Sequence, residues 1–205
     1  MRILLLGATG RVGSDILKLA VADQHDVKVL VRSPEQLEVS ENVTVIEGDV
    51  LNESNLDKAV QGVDVIVSAL STDKTTTLSE STPMLIHAME KHQVKRIITV
   101  GTAGILNSRT EPDLYRFESS ESKRKTTRAA EEHLSVYKNL AASELDWTII
   151  CPTYLPDGAP KGEYRISEDV LPEDGREISV GDTAEFVYQT LLSNSHINKR
   201  VGISY

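Results

Sequence analysis

Three glycines at three-residue spacing, Gly7-x-x-Gly10-x-x-Gly13, stand between an apolar run of strand length and a helix-period segment. The run Arg2–Leu6 is continuous rather than alternating, as in a strand buried on both faces of a sheet. The segment after it puts Val12, Ile16, Leu19 and Ala20 on one helical face. Gly7 suits the tight turn out of the strand, Gly10 lets a backbone approach a pyrophosphate, and Gly13 lets the helix pack close to the sheet. The helix N-terminus offers N–H groups and a partial positive charge to phosphates. Gly7, Thr9, Gly10, Arg11, Val12 and Gly13 therefore form a candidate cradle for a dinucleotide. The alternative is a glycine-rich turn that binds nothing.

Strands and helices go on alternating along the chain. Strands are predicted at Val27–Val31, Val43–Ile46, Val63–Leu70, Arg96–Val100, Trp147–Cys151 and Arg200–Ser204. Asn52 is a candidate N-cap for a helix carrying Leu56, Ala59 and Val60, and Thr82-Pro83 is predicted to open a helix with Leu85, Ile86 and Met89 buried. Further helices are predicted over Ser122–Ser143 and Gly181–Leu192. This order implies an α/β fold: a Rossmann-type, doubly wound parallel sheet with helices on both faces, formed by residues 1–205 as one domain. Two segments interrupt the alternation. Residues 102–121 are a long polar connection, and residues 152–179 read as an irregular flap with one short strand, Tyr164–Ile166. Both leave strand C-terminal ends, where ligands bind in such sheets.

Each strand end offers candidates. After the second strand come Arg32 and Ser33, where an acid would hold ribose hydroxyls in an NAD-preferring fold. Arg32 and Ser33, helped by Arg11, would instead suit a 2′-phosphate; the alternative is a solvated arginine. Asp49, followed by Val50, either accepts a hydrogen bond from an adenine amino group or caps the next helix. Ala69, Leu70 and Ser71 are small enough to let the chain approach an adenosine ribose. Ser122-Lys123-Arg124-Lys125 is either a phosphate patch or a solvated first turn. The five histidines have no metal-ligand spacing and read as surface residues.

Net charge is −9, which argues against a nucleic-acid partner. No run approaches the roughly 18 apolar residues of a membrane span, and the N-terminus does not read as a signal peptide, so a cytoplasmic location is expected. Cys151 is the single cysteine, which excludes an intrachain disulfide.

Taken in order, Gly-Ala-Thr-Gly-Arg-Val-Gly, Val-Arg-Ser-Pro, Gly-Asp-Val, Val-Ser-Ala-Leu and Asp-Trp-Thr-Ile-Ile-Cys-Pro resemble the atypical short-chain dehydrogenase/reductases. The subgroup is that of the NADH-flavin reductases and biliverdin reductase B-like proteins, with NmrA-like regulators on the same fold. The resemblance implies an NAD(P)H-dependent reductase that passes hydride to a flavin, quinone or similar flat acceptor, and Arg32 with Ser33 points to NADP, with NADPH preferred over NADH. It also implies a nicotinamide over Cys151, Pro152 and Thr153, with Thr102 beside it; Cys151 itself, a lone strand-end cysteine, reads as structural rather than reactive. Thr102, Tyr115 and Tyr154 are the candidate catalytic residues; Tyr115 and Arg116, in the long loop, either contact substrate or are solvated, and a monomer or homodimer is expected. The Tyr-x-x-x-Lys pair of the wider superfamily is absent, because no tyrosine is followed four residues on by lysine. The histidine that biliverdin reductase B-like proteins carry after the strand-six proline is Thr153 here. A redox sensor that binds NADP(H) without turnover is the second expectation.

Overall fold

The strand β1, Arg2–Leu6, turns Leu4 and Leu6 into one hydrophobic core and Ile3 and Leu5 into another. A strand apolar on both faces must be covered on both, and the rest of the chain supplies the cover. The structure, a computed structural model, describes residues 1–37, 40–72, 74–122 and 126–205. Its elements are β1, α1 (Arg11–Ala22), β2 (Asp26–Val31), β3 (Val43–Glu47), α2 (Glu53–Val60), β4 (Val65–Ser68), α3 (Thr77–Lys91), β5 (Arg96–Val100), α4 (Arg128–Ala141), β6 (Asp146–Pro152), β7 (Arg165–Glu168), α5 (Val180–Ser193) and β8 (Lys199–Ser204). Among the described residues, eight strands form one sheet in the order β3-β2-β1-β4-β5-β6-β8-β7. All pairings are parallel except β7 with β8.

Helices α2, α3 and α4 cover one face, burying Leu56, Leu85, Met89 and Leu140 against Leu4, Leu6 and Ile66. Helices α1 and α5 cover the other, burying Ile16, Ala20, Ala184 and Val187 against Ile3, Leu5 and Val67. Each fully buried leucine or isoleucine contributes about 1.5–3 kcal/mol. Between β1 and β4 the strand order reverses, and the C-terminal ends of the strands diverge there into a crevice.

Four predicted boundaries are corrected. Helix α3 begins at Thr77, so Pro83 lies inside it rather than at its start. Leu78 extends the buried stripe of Leu85 and Met89 toward the N-terminus, and that packing outweighs the hydrogen bond the proline forfeits. The hydroxyls of Ser81 and Thr82 donate to the carbonyls of Thr77 and Leu78. Helix α4 starts at Arg128, not Ser122; Thr127 sits at its N-cap and donates its hydroxyl to Glu131. Strand β4 stops at Ser68, which frees Ala69 and Leu70 to turn along the crevice. The short strand is Arg165–Glu168 and pairs antiparallel with β8.

The two irregular segments are pinned from beneath. Arg200, buried on β8, donates to the Ile105 carbonyl (2.6 Å), Asn107 Oδ1 (3.0 Å) and Asp169 Oδ1 (3.1 Å), so one guanidinium ties the post-β5 loop to the flap. Asp182, fully buried in the first turn of α5, accepts the backbone N–H groups of Lys161 and Gly162 and the hydroxyls of Ser179 and Tyr205. Burial opposes its charge, but these donors win and hold its carboxyl below the usual range.

Candidate functional site

The turn between β1 and α1 separates two kinds of glycine. Gly7 has φ +80°, and a Cβ there would stand 2.5 Å from the Ala69 carbonyl oxygen. A Cβ on Gly13 would stand 2.0 Å from the Gly7 carbonyl oxygen. Both positions are closed by the protein itself. Gly10 is different: its φ of −80° suits any residue, and a Cβ would meet the Gly7 oxygen at 3.2 Å and the Ala69 oxygen at 3.9 Å. It caps α1 with no side-chain hydrogen bond, so the helix N-terminus opens directly on the crevice.

The crevice has two halves that share Gly10, Ala69, Leu70 and Ser71. The first, about 300 Å³, runs from Thr9 past Arg32 to Asp49, Val50 and Leu51. The second, about 420 Å³, runs from Arg11 and Val12 past Gly101 and Thr102 to Pro152, Thr153 and Leu155. A third cavity of about 310 Å³ adjoins the second through Thr102, Ala129 and Thr153. Its far walls come from the post-β5 loop, at Arg116 and Phe117, and from the flap, at Tyr154, Gly175 and Arg176.

Most candidates named from sequence line this system, and some do not. Arg32 lies on the first half, at the tip of β2. Ser33 is outside the lining, where its carbonyl starts a one-turn 3-10 helix, Pro34–Gln36. Arg11 is in the second half and donates to the Leu155 carbonyl (3.0 Å) and Asp157 (2.8 Å), so it faces the flap rather than Arg32. Asp49 borders the first half and accepts the Leu51 N–H, while Asn52 caps α2. The capping alternative for Asp49 is thereby removed.

Cys151 is corrected to a core residue. Its side chain is fully buried on the α4 side of the sheet, and burial pushes its thiol up to about 12. Only its neighbours Pro152 and Thr153 reach the crevice. Tyr115 is corrected as well. Its ring packs on Phe117 and Tyr137, with the Arg200 guanidinium 5.8 Å from its centroid, and it lines none of these cavities. Tyr154, by contrast, is 61% exposed and lines the third cavity. Lys123, Arg124 and Lys125 lie outside the described residues.

His133 is the residue that sequence reading missed. It stands on α4 one turn beyond Ala129, and both line the second half of the crevice. No described residue hydrogen-bonds its ring, and burial pushes its pKa down from 6.5 to about 4. A histidine depressed in the folded state favours folding above pH 6.5, and that contribution is lost as pH falls toward 4, because the unfolded chain takes up the proton first. His133→Leu is therefore expected to flatten the fall in stability between pH 6.5 and 4, measured by denaturant unfolding beside the parent protein. An unchanged slope would show that the imidazole is solvated.

A crevice at the topological switch point, with a helix N-terminus at its middle and a glycine whose missing Cβ leaves room for phosphate, suits a dinucleotide. Among the described residues, no group of three or more His, Cys, Asp or Glu is placed to hold a metal. No helix of the described residues is long and apolar enough to cross a membrane.

This fold and crevice define the Rossmann-type NAD(P)-binding proteins. The model of the NAD(P)H-binding family matches residues 7–194, and the chain belongs to that family. It is 32% identical over 204 residues to the N-acetyl-alpha-D-glucosaminyl-diphospho-ditrans,octacis-undecaprenol 4-epimerase of Escherichia coli O157:H7, covering 94% of this chain and 60% of the epimerase. It is 26% identical to YwnB of Bacillus subtilis, covering 98% and 96% of the two chains. A Rossmann-fold NAD(P)-binding family protein from Shigella flexneri superposes with a TM-score of 0.75 at 25% identity, over 99% and 92% of the chains. A short-chain dehydrogenase/reductase from Veillonella parvula, in complex with NADP, shares the fold at TM-score 0.83 and 17% identity, over 100% and 94%.

Proposed function

We propose that the protein is an NADPH-dependent reductase acting on a flavin, quinone or other flat acceptor. One observation carries the reading: the second half of the crevice opens through Thr102, Ala129 and Thr153 into a separate cavity of about 310 Å³, walled by the two irregular segments. NADPH, when bound, supplies the hydride. The residues of this chain do the rest. Arg32 and Asp49 would hold the adenosine end, and the α1 N-terminus at Gly10 the pyrophosphate. Thr102, Pro152 and Thr153 would fix the reacting end against the acceptor, so catalysis consists of holding two rings together.

Epimerase chemistry stays with the Escherichia coli relative, of which this chain spans about 60%. No tyrosine here is followed four residues on by lysine, and the proton needed to complete reduction of a flavin or quinone is available from solvent. Tyr154→Phe should accordingly lower NADPH oxidation by less than about tenfold, a barrier change under roughly 1.4 kcal/mol. A loss of several thousandfold would reveal a catalytic acid.

The reading is tested by steady-state NADPH oxidation with FMN, FAD, a quinone and biliverdin in turn. Oxidation that depends on an acceptor supports it. Tight cofactor binding with no oxidation by any acceptor would favour a sensor that binds NADP(H) without turnover.

A further inference from the structure

The third cavity carries a charge pattern that a flat neutral acceptor would leave unused. Arg176 lines it from the flap; its carbonyl accepts the Thr153 hydroxyl (3.2 Å), while its guanidinium is exposed and bonded by no described residue. Arg116 lines it from the post-β5 loop. Its Nε is buried without a hydrogen bond, 3.3 Å from Glu121 Oε2 but poorly aligned with it. Glu121 offers little to a ligand, because its other oxygen accepts from the Ser108 hydroxyl and the backbone N–H groups of Arg109 and Thr110. Among the described residues, two arginines and one committed carboxylate therefore line this cavity, in a chain whose net charge is −9. The first turn of α4, at Ala129 and Ala130, adds the positive end of a helix to the same wall. Phe117 and Tyr154 supply aromatic surface between these charges and Thr102.

We propose that the acceptor carries an anionic oxyacid group, held by Arg176 with Arg116, while its flat ring reaches the crevice between Thr102 and Thr153. The inference rests on the reductase reading and sharpens it to a charged aromatic substrate. Arg176 is the specificity-determining residue, because its guanidinium is uncommitted and can grip such a group with two parallel hydrogen bonds. Arg116 contributes less, since part of its charge is answered by Glu121.

Two matched pairs test this: FMN against riboflavin, and anthraquinone-2-carboxylate against 2-hydroxymethylanthraquinone. Each is titrated calorimetrically into protein saturated with NADP⁺, then assayed kinetically with NADPH. In at least one pair the charged member should bind about tenfold tighter or more, and Arg176→Gln should erase that advantage. The variant should raise the KM of the charged acceptor with kcat nearly unchanged, and leave the neutral member and NADPH affinity as they were. Arg176→Glu should weaken the charged member further. Equal affinities within both pairs, failure of both charged members to bind, or equal losses for charged and neutral members in Arg176→Gln would overturn the proposal. The two readings fail separately. Oxidation of NADPH without charge preference removes only the anion site, whereas charge-selective binding without oxidation removes only the reductase.

Discussion

Gly10→Val should leave the chain folded and weaken NADPH binding by about a thousandfold or more, some 4 kcal/mol. The expectation comes from comparing three glycines of one turn. Gly7 and Gly13 are required by the fold, because a Cβ on either would stand within 2.5 Å of a backbone oxygen. At Gly10 the nearest atom is the Gly7 carbonyl oxygen at 3.2 Å and the backbone has an ordinary extended conformation, so a side chain asks only a shift of a few tenths of an ångström from the protein. It is not tolerated by a ligand, since Gly10 lies where the two halves of the crevice meet, at the N-terminus of α1. Calorimetry with NADPH and a thermal unfolding curve check both halves of the statement. Gly13→Ala, which presses a methyl group into the Gly7 carbonyl, should lose stability instead. Unchanged NADPH affinity in folded Gly10→Val would place the cofactor elsewhere.

Arg32→Ala should cost NADPH about 10- to 100-fold in affinity and leave NADH nearly unchanged. Arg32 directly follows β2 and lines the first half of the crevice together with Asp49, Gly7 and Gly10. A 2′-phosphate is close to doubly charged, and a charge-assisted hydrogen bond to it contributes roughly 1.5–3 kcal/mol. Arg11 is not expected to share this role, because its guanidinium is spent on Leu155 and Asp157 in the other half. Raising salt should weaken NADPH binding more than NADH binding, since only the former has the extra phosphate. Equal losses for the two cofactors, measured by calorimetry on Arg32→Ala, would mean that Arg32 serves the fold or the adenine.

The parts of the site that were legible in sequence are those governed by local sterics. A strand, a glycine turn and a helix are contiguous, so Gly7, Gly10 and Gly13 announce their geometry without help from the rest of the chain. Strand ends are nearly as local, which is why Arg32, Asp49, Ala69 and Thr102 all fall on the crevice as read. What escaped depends on partners distant in sequence. Tyr115 looks like an acceptor residue until Arg200, far along the chain, is found holding its loop from below and facing its ring. Cys151 shares the α4-side face of β6 with Trp147 and Ile149, so its side chain enters that core, and only the next residues, Pro152 and Thr153, reach the crevice. His133 reads as a surface residue in sequence, because only the packing of α4 beside the end of β6 decides which of its faces borders the crevice. Pro83 read as a helix start because the apolar residue that extends α3 backward, Leu78, lies within a polar segment.

The central claim is that a nicotinamide lies in the second half of the crevice with one face toward the cavity beside Thr102 and Thr153. The most direct measurement uses NADPH carrying deuterium at C4 in either the pro-R or the pro-S position, mixed with the protein and FMN or a quinone in single-turnover stopped flow. A ring held in one orientation transfers hydrogen from one face only. The account predicts a primary isotope effect with one label and essentially none with the other. Oxidation slowed equally by both labels, or no oxidation despite saturating cofactor, would contradict it.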